Sequence, residues 1–347
     1  MNIFSLTYIL VLVIGLLSKQ FRNGKKIFCI STGTIYFFIA ALRSSYVGGD
    51  SFNYRNMFEL LGGRDLDISL FYSKKDPVFF AFLSFVGKFT SNYTVLFTIV
   101  AALFCFAVWY YIYKYSCDPV LSVIVLLAFN LYQFSLTGMR QTIAMSFVIF
   151  SMISINEGKR ALPYIFVVLG SLFHASALVF MIIPILRHIP ITKKKIKWSV
   201  AVLIVAFLLR NKIATMLIGF ISDRGYQVNM VQSGFTMMLV IFILYIVMAI
   251  FVNEYAEYDR NYHFQYWIAM GAVFFETLVT AQNIFFRIAF YFLMIFVTLL
   301  PNIIHHARNR NTRLILSLGL YIVLSVQYLV FTIGSCYILP YTFFWQI

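Results

Sequence analysis

Long apolar runs recur along this chain from Ile3 to Phe331, most of them about 16 to 22 residues, close to the roughly 20 residues a helix needs to cross about 30 Å of hydrocarbon. A water-soluble core has no use for stretches of that length in succession. Hydrophobic residues make up 62% of the 347 positions and charged residues 11%, a mix that cannot be wrapped around a water-exposed globule. In lipid the backbone must satisfy its own polar groups, which leaves helices or a closed barrel. The apolar-out, polar-in alternation of a barrel strand is absent, so the chain is expected to be all-α, a polytopic integral membrane helical bundle.

The spans fall at 3–18, 27–42, 93–113, 119–137, 140–156, 198–210, 234–252, 264–283, 285–304 and 313–333. Two segments fit less well. Residues 77–89 form a run too short to cross comfortably, and residues 162–186 carry Gly170, Ser171 and His174 near their middle and Pro184 near their end. Such interruptions are tolerated where protein or a water-filled cavity satisfies the loosened backbone, so one or two broken or re-entrant segments are expected among about 10 to 12 transmembrane segments. With no internal repeat, low-complexity tract or linker, residues 1–347 read as a single integral membrane domain. Two outer loops, 43–76 and 211–233, lie over the bundle.

The formal net charge is +15, but the basic residues sit in short clusters beside apolar runs. There they orient helices against the cytoplasmic leaflet, and nucleic acid is not an expected partner. Lys19, Arg22, Lys25 and Lys26, then Lys193, Lys194, Lys195 and Lys197, then Arg308, Arg310 and Arg313 are placed inside. The ten-span arrangement then brings Arg43, Asp50, Arg140 and Arg287 to the outer side. The four cysteines have no metal-ligand spacing. Walker A, GxSxG, HExxH and GxGxxG patterns are missing, which removes ATP-driven transport by this chain alone.

A charge at the centre of a membrane helix costs about 2.5 to 3.5 kcal/mol on insertion scales, so each one needs a reason. Arg43-Ser44-Ser45-Tyr46-Val47-Gly48-Gly49-Asp50-Ser51-Phe52-Asn53-Tyr54 sets an arginine, a carboxylate and a tyrosine around a Gly-Gly turn at the end of an apolar run. Arg140-Gln141 follows Thr137-Gly138-Met139 and opens a new run, which places a guanidinium at a helix N-terminus and favours an anion. A snorkelling interfacial arginine would look the same. Arg287 has Tyr291 one turn below it on the same face, an arrangement shared by interface anchors. His174 is the one histidine well inside an apolar run, where a satisfied core histidine is the alternative to a functional one. Glu276 is a second-line carboxylate, either a base or a helix-packing group. His305-His306 lacks a third ligand at metal spacing.

Convergent guanidinium forks suit a phosphate or pyrophosphate, because each gives two parallel hydrogen bonds to oxygen anions. Taken in order, Ala40-Ala41-Leu42-Arg43, Val47-Gly48-Gly49-Asp50-Ser51 with Tyr54, Arg140-Gln141-Thr142-Ile143-Ala144, Leu172-Phe173-His174-Ala175-Ser176-Ala177, Arg287-Ile288-Ala289-Phe290-Tyr291-Phe292 and Pro340-Tyr341 make the chain resemble the EpsG-type family of polysaccharide polymerases. That family is related in role to the Wzy-type O-antigen polymerases. Gly49 departs from the Thr or Ser usual in the family.

The resemblance implies a metal-independent glycosyltransferase without a cofactor, multi-pass in the bacterial inner membrane and active on the periplasmic side. Its substrate would be undecaprenyl-pyrophosphate-linked oligosaccharide; membrane lipids, and chain-length regulator and flippase proteins of the same pathway, would be its partners. O-antigen, capsule and exopolysaccharide all remain open as products. On this reading Arg140 and Arg287 take the pyrophosphate, and Arg43 supports them or holds Asp50. Asp50 or His174 accepts the acceptor proton, while Tyr54, Gln141 and Tyr291 orient sugar or phosphate. The alternatives are a lipid-linked glycan ligase and a non-enzymatic flippase or transporter.

Overall fold

The computed structural model describes residues 2–64, 77–186, 188–219 and 234–346. Parts of both expected loops (65–76 and 220–233) and Arg187 of the basic inner loop lie outside the described residues. Everything described is helix or connection, apart from an isolated antiparallel bridge between Arg43 and Phe343. The protein is thus a polytopic helical membrane bundle. The chain divides into two compact units, Met1–Leu178 with Gly319–Ile347, and Val179–Leu318.

The first unit contains α1 (Ile3–Ser18), α2 (Gly24–Ala41), α3 (Ser51–Leu61), α4 (Pro77–Gly87), α5 (Tyr93–Tyr115), α6 (Pro119–Ala128), α7 (Leu131–Ser135), α8 (Met139–Asn156) and α9 (Leu162–Phe173). Every residue of α6 from Val120 to Ala128 is buried, which makes this helix the unit's centre. Asp118 starts α6 by accepting from the backbone N–H groups of Val120 and Leu121, the role expected of an N-cap carboxylate. The apolar run 119–137 does not continue as one helix, because Asn130 adopts a left-handed conformation (φ 61°) between α6 and α7. Around this centre α2 packs on α5, α5 on α8, and α8 on α9. Trp109 of α5 donates its ring N–H to Thr32 of α2 at 2.8 Å.

The segment 162–186 is broken as its composition suggests. Helix α9 stops at His174, whose backbone is extended (φ −154°, ψ 109°), and a 3-10 stretch, Ala175–Ile182, follows. Gly170 lets α9 approach α8 closely: a β-carbon there would stand 3.1 Å from the Ala144 carbonyl oxygen.

The second unit contains α10 (Ile183–Leu186), α11 (Lys193–Leu208), α12 (Arg210–Gly219), α13 (Phe235–Tyr255), α14 (Tyr262–Val279), α15 (Phe286–Leu293) and α16 (Phe296–His305). Helix α14 is its hub, packed against α11, α13 and α15. The hydroxyl of Ser199 ties three helices by meeting Tyr245 at 2.8 Å and Tyr266 at 2.7 Å. The last long helix, α17 (Arg310–Val326), runs on as a π-helical turn through Thr332.

Three described helical stretches, Tyr93–Tyr115, Phe235–Tyr255 and Arg310–Thr332, are each long and apolar enough to cross a membrane. Two bent pairs, Lys193–Leu208 with Arg210–Gly219 at 78° and Asn283–Leu293 with Phe296–His305 at 50°, raise the number to as many as five. Other apolar runs are built from shorter helices, because breaks such as Asn130 and His174 divide them.

Candidate active site

The segment after α2 is pinned on two sides. On one side it pairs with the C-terminal residues: Ser44 N–H donates to Thr342 O (2.9 Å), Phe344 N–H to Leu42 O (3.0 Å), Gly48 N–H to Tyr337 O (3.0 Å) and Gly49 N–H to Cys336 O (3.0 Å). On the other side it meets the α7–α8 turn, where the Ser51 hydroxyl donates to Leu136 O at 2.8 Å and the Asp50 N–H donates to Thr137 Oγ1 at 2.9 Å. Gly48 makes this approach possible. Its φ is +96°, and a β-carbon would lie 2.4 Å from the Leu136 carbonyl oxygen.

Asp50 stands at the N-cap position of α3, yet its side chain makes no capping hydrogen bond and the residue is exposed. The carboxylate is therefore presented outward instead of being consumed by the helix. Helix α3 itself, within the expected loop 43–76, follows from its spacing: Ser51, Tyr54, Phe58 and Leu61 form one buried stripe.

Tyr54 lies on that stripe, 5% exposed, with its ring edge-on to Phe79 of α4 at 5.5 Å. Arg140 Nε stands 3.5 Å from the Tyr54 hydroxyl, a long hydrogen bond. Burial pushes the Tyr54 pKa up and the nearby Arg140 charge pulls it back, so the hydroxyl stays neutral at physiological pH. Arg140 is half-buried and is the second residue of α8, whose N-cap, Gly138, has no side chain to offer. Backbone N–H groups, helix dipole and guanidinium thus add their positive character at one point. Gln141, the next residue, is buried.

Arg43 behaves differently from the expectation that it holds Asp50. It is 2% exposed, its Nη1 donates to the Ala40 carbonyl, and its Cζ lies 4.2 Å from the Phe97 ring centroid. Its Nε has no hydrogen-bond partner among the described residues. Burial lowers its pKa to about 10, which leaves it charged at neutral pH. Thr137, and not Arg43, fixes the backbone at Asp50. Nothing in the sequence around Thr137 marks this role, because a hydroxyl's partner 87 residues away leaves no local pattern.

His174 is buried at the C-terminal end of α9. Its neighbour Phe173 packs against the same hydrophobic cluster that contains Tyr54, Phe79, Phe97, Met139 and Ile143. The residues flanking Arg140 and His174 therefore share one core with Tyr54. Arg287 and Tyr291 belong to the second unit. Both lie in the eight-residue helix α15, four residues apart as expected; Arg287 is half-buried and Tyr291 fully buried. Gly271 admits the Phe292 ring of α15 against α14, where a β-carbon would come within 2.6 Å of it. Glu276 is buried in α14. Among the described residues no three His, Cys, Asp or Glu side chains are grouped to hold a metal ion.

A helical membrane protein that sets an exposed carboxylate at the start of one helix, and a tyrosine on that helix against an arginine at the start of another, has the makings of a site for an anionic substrate. The chain matches the EpsG family over residues 26–343 and belongs to that family, whose members are membrane polysaccharide polymerases. No curated protein and no solved structure matches it.

Proposed function

We propose that the protein polymerises undecaprenyl-pyrophosphate-linked oligosaccharide repeat units at the periplasmic side of the bacterial inner membrane. The observation that carries this reading is the meeting of the Asp50 turn, Tyr54 and Arg140, held by Ser51 on Leu136 and Asp50 on Thr137.

In the reaction, an acceptor hydroxyl oxygen forms a bond to the anomeric carbon of the donor glycan. The bond from that carbon to the pyrophosphate oxygen breaks, and the lipid pyrophosphate departs with the electron pair. Arg140, at the positive end of α8, binds the departing charge more strongly than it binds the intact ester, which lowers the barrier. Arg287 supplies a second guanidinium from its own helix. Asp50 takes the acceptor proton; its exposed carboxylate suits that task better than the buried imidazole of His174, which is the second candidate base. Tyr54 and Gln141 orient phosphate or sugar, and Tyr291 supports Arg287 from one turn away. Arg43 acts through packing.

Arg140→Lys keeps a positive charge and loses the fork. Cells carrying it, or Arg287→Lys, are expected to display single repeat units at the surface and no ladder of longer glycans. A full-length ladder from both variants would refute the arginine roles. Deletion that removes all surface glycan would instead indicate a flippase or a ligase.

A further inference from the structure

A groove between α2 and α5 in the first unit is lined by none of the candidate site residues. It has a volume of about 440 Å³ and is lined by Lys26, Gly33 and Phe37 of α2 and Ala102, Trp109 and Tyr113 of α5, among others. Small residues make it: Gly33 rests on the Trp109 ring, where a β-carbon would come to 3.0 Å, and Ala102 is exposed. Its flanks are exposed and apolar, Ile30 at 58% and Phe106 at 62%, as befits a surface facing acyl chains.

From Lys26 to Phe37 the groove follows α2 for about 16 Å at 1.5 Å per residue, roughly half of a hydrocarbon layer of about 30 Å. That is the depth of one leaflet. Charge gathers at one end only. Lys26 lines the mouth, Lys25 stands 5.8 Å from the Tyr113 ring, and Lys19 and Arg22 are exposed in the turn before α2. The acids nearby are engaged: Glu157 pairs with Lys114, and Asp118 caps α6 and accepts from Tyr321.

We propose that this groove binds one acyl chain of an anionic phospholipid whose headgroup sits at Lys26. A groove one leaflet deep matches a leaflet phospholipid, whereas a long polyprenyl chain would overrun it. The assignment is independent of the polymerase reaction and of which face of the membrane Lys26 occupies.

Trp109 lines the groove and supplies the probe. Phosphatidylglycerol brominated on its acyl chains, added to the purified full chain in detergent, is expected to quench the part of the emission that Trp109→Phe removes. Half-quenching should need about fivefold less of it than of brominated phosphatidylcholine, the effect of one lysine beside an anionic lipid headgroup. Lys26→Gln should abolish that preference. Ala102→Phe, at an exposed lining position, should reduce quenching by both lipids, and Thr34→Phe, at an exposed lining position of α2, should repeat the block from the other wall. Equal quenching by the two lipids, or undiminished quenching in both groove-filling variants, would overturn the proposal. So would displacement of the brominated lipid by an equimolar long-chain polyprenyl phosphate.

Discussion

Arg43 and Arg140 are both arginines at the boundary of an apolar run, and the fold treats them in opposite ways. Arg43 is withdrawn between the Ala40 carbonyl and the Phe97 ring, under a tail that returns from residues 336–344. Arg140 is half-exposed at a helix start, aimed at a tyrosine hydroxyl and followed by the positive end of α8. The contrast teaches that a membrane-boundary arginine takes its role from what surrounds its guanidinium. A charge covered by its own backbone shapes the loop, and a charge left partly open can meet a substrate.

The sharpest way to break this comparison is to exchange both arginines for methionine, which keeps an unbranched stem and deletes the charge. Arg140→Met is expected to reduce the rate of glycan polymerisation by about 100-fold or more, the scale seen when one transition-state donor is removed. Its melting temperature should stay near that of the parent. Arg43→Met should do the reverse of what a catalytic arginine would. Among the described residues the Arg43 guanidinium meets a carbonyl and a ring face and no carboxylate, so an apolar side chain of similar length can keep the packing. Ladder length and rate should remain close to those of the parent. If Arg43→Met is as inactive as Arg140→Met, the division of roles fails.

The next effect concerns the turn that joins the two regions. Gly48→Ala places a β-carbon at φ +96° and against the Leu136 carbonyl. Strain of this kind costs on the order of 1–3 kcal/mol, read as a lower midpoint in thermal unfolding, and activity should fall with the displacement of Asp50. Gly49 has no left-handed backbone, and its closest contact would be a Tyr337 ring carbon at 3.2 Å. Gly49→Ser, which adds a small hydroxyl side chain, should cost less than Gly48→Ala. Thr137→Val comes after these. It deprives the Asp50 N–H of its acceptor for about 1 kcal/mol, and a drop in turnover at unchanged ladder pattern would show that this hydroxyl sets the Asp50 position.

These contrasts also mark what the sequence could reveal. The interruption at His174 was legible, because Gly170 and Ser171 stand where an apolar helix should be strongest, and the chain does leave the helix there. Helix α3 is equally readable from the spacing of Ser51, Tyr54, Phe58 and Leu61, although it lies within the segment 43–76 expected as an outer loop. The burial of Arg43 was not legible. It depends on Thr342 meeting Ser44 across 298 residues, and no local propensity encodes a pairing at that separation. Pro340-Tyr341 entered only as part of the resemblance; the reason for it is now visible, since the Tyr341 hydroxyl donates to the Ile39 carbonyl at 2.8 Å beside Arg43.

The smallest expected effect tests whether proximity to the site is enough to confer a role. Arg55 follows Tyr54 directly, and its Nε donates to Glu59 Oε1 at 2.7 Å, an i,i+4 pair on the outward side of α3. Both side chains are open, 30% and 47% exposed, so solvent screens the attraction and holding two long side chains together costs entropy. Glu59→Gln should therefore shift stability by no more than about 0.5 kcal/mol and leave the glycan ladder unchanged. Arg55 also stands over the Tyr93 ring at 5.0 Å, a contact that Glu59 does not make, so the substitution addresses the ion pair and not the packing. A marked loss of polymer from Glu59→Gln would mean that the exposed edge of α3 contacts substrate, and the site would have to be extended outward from Tyr54 to include it.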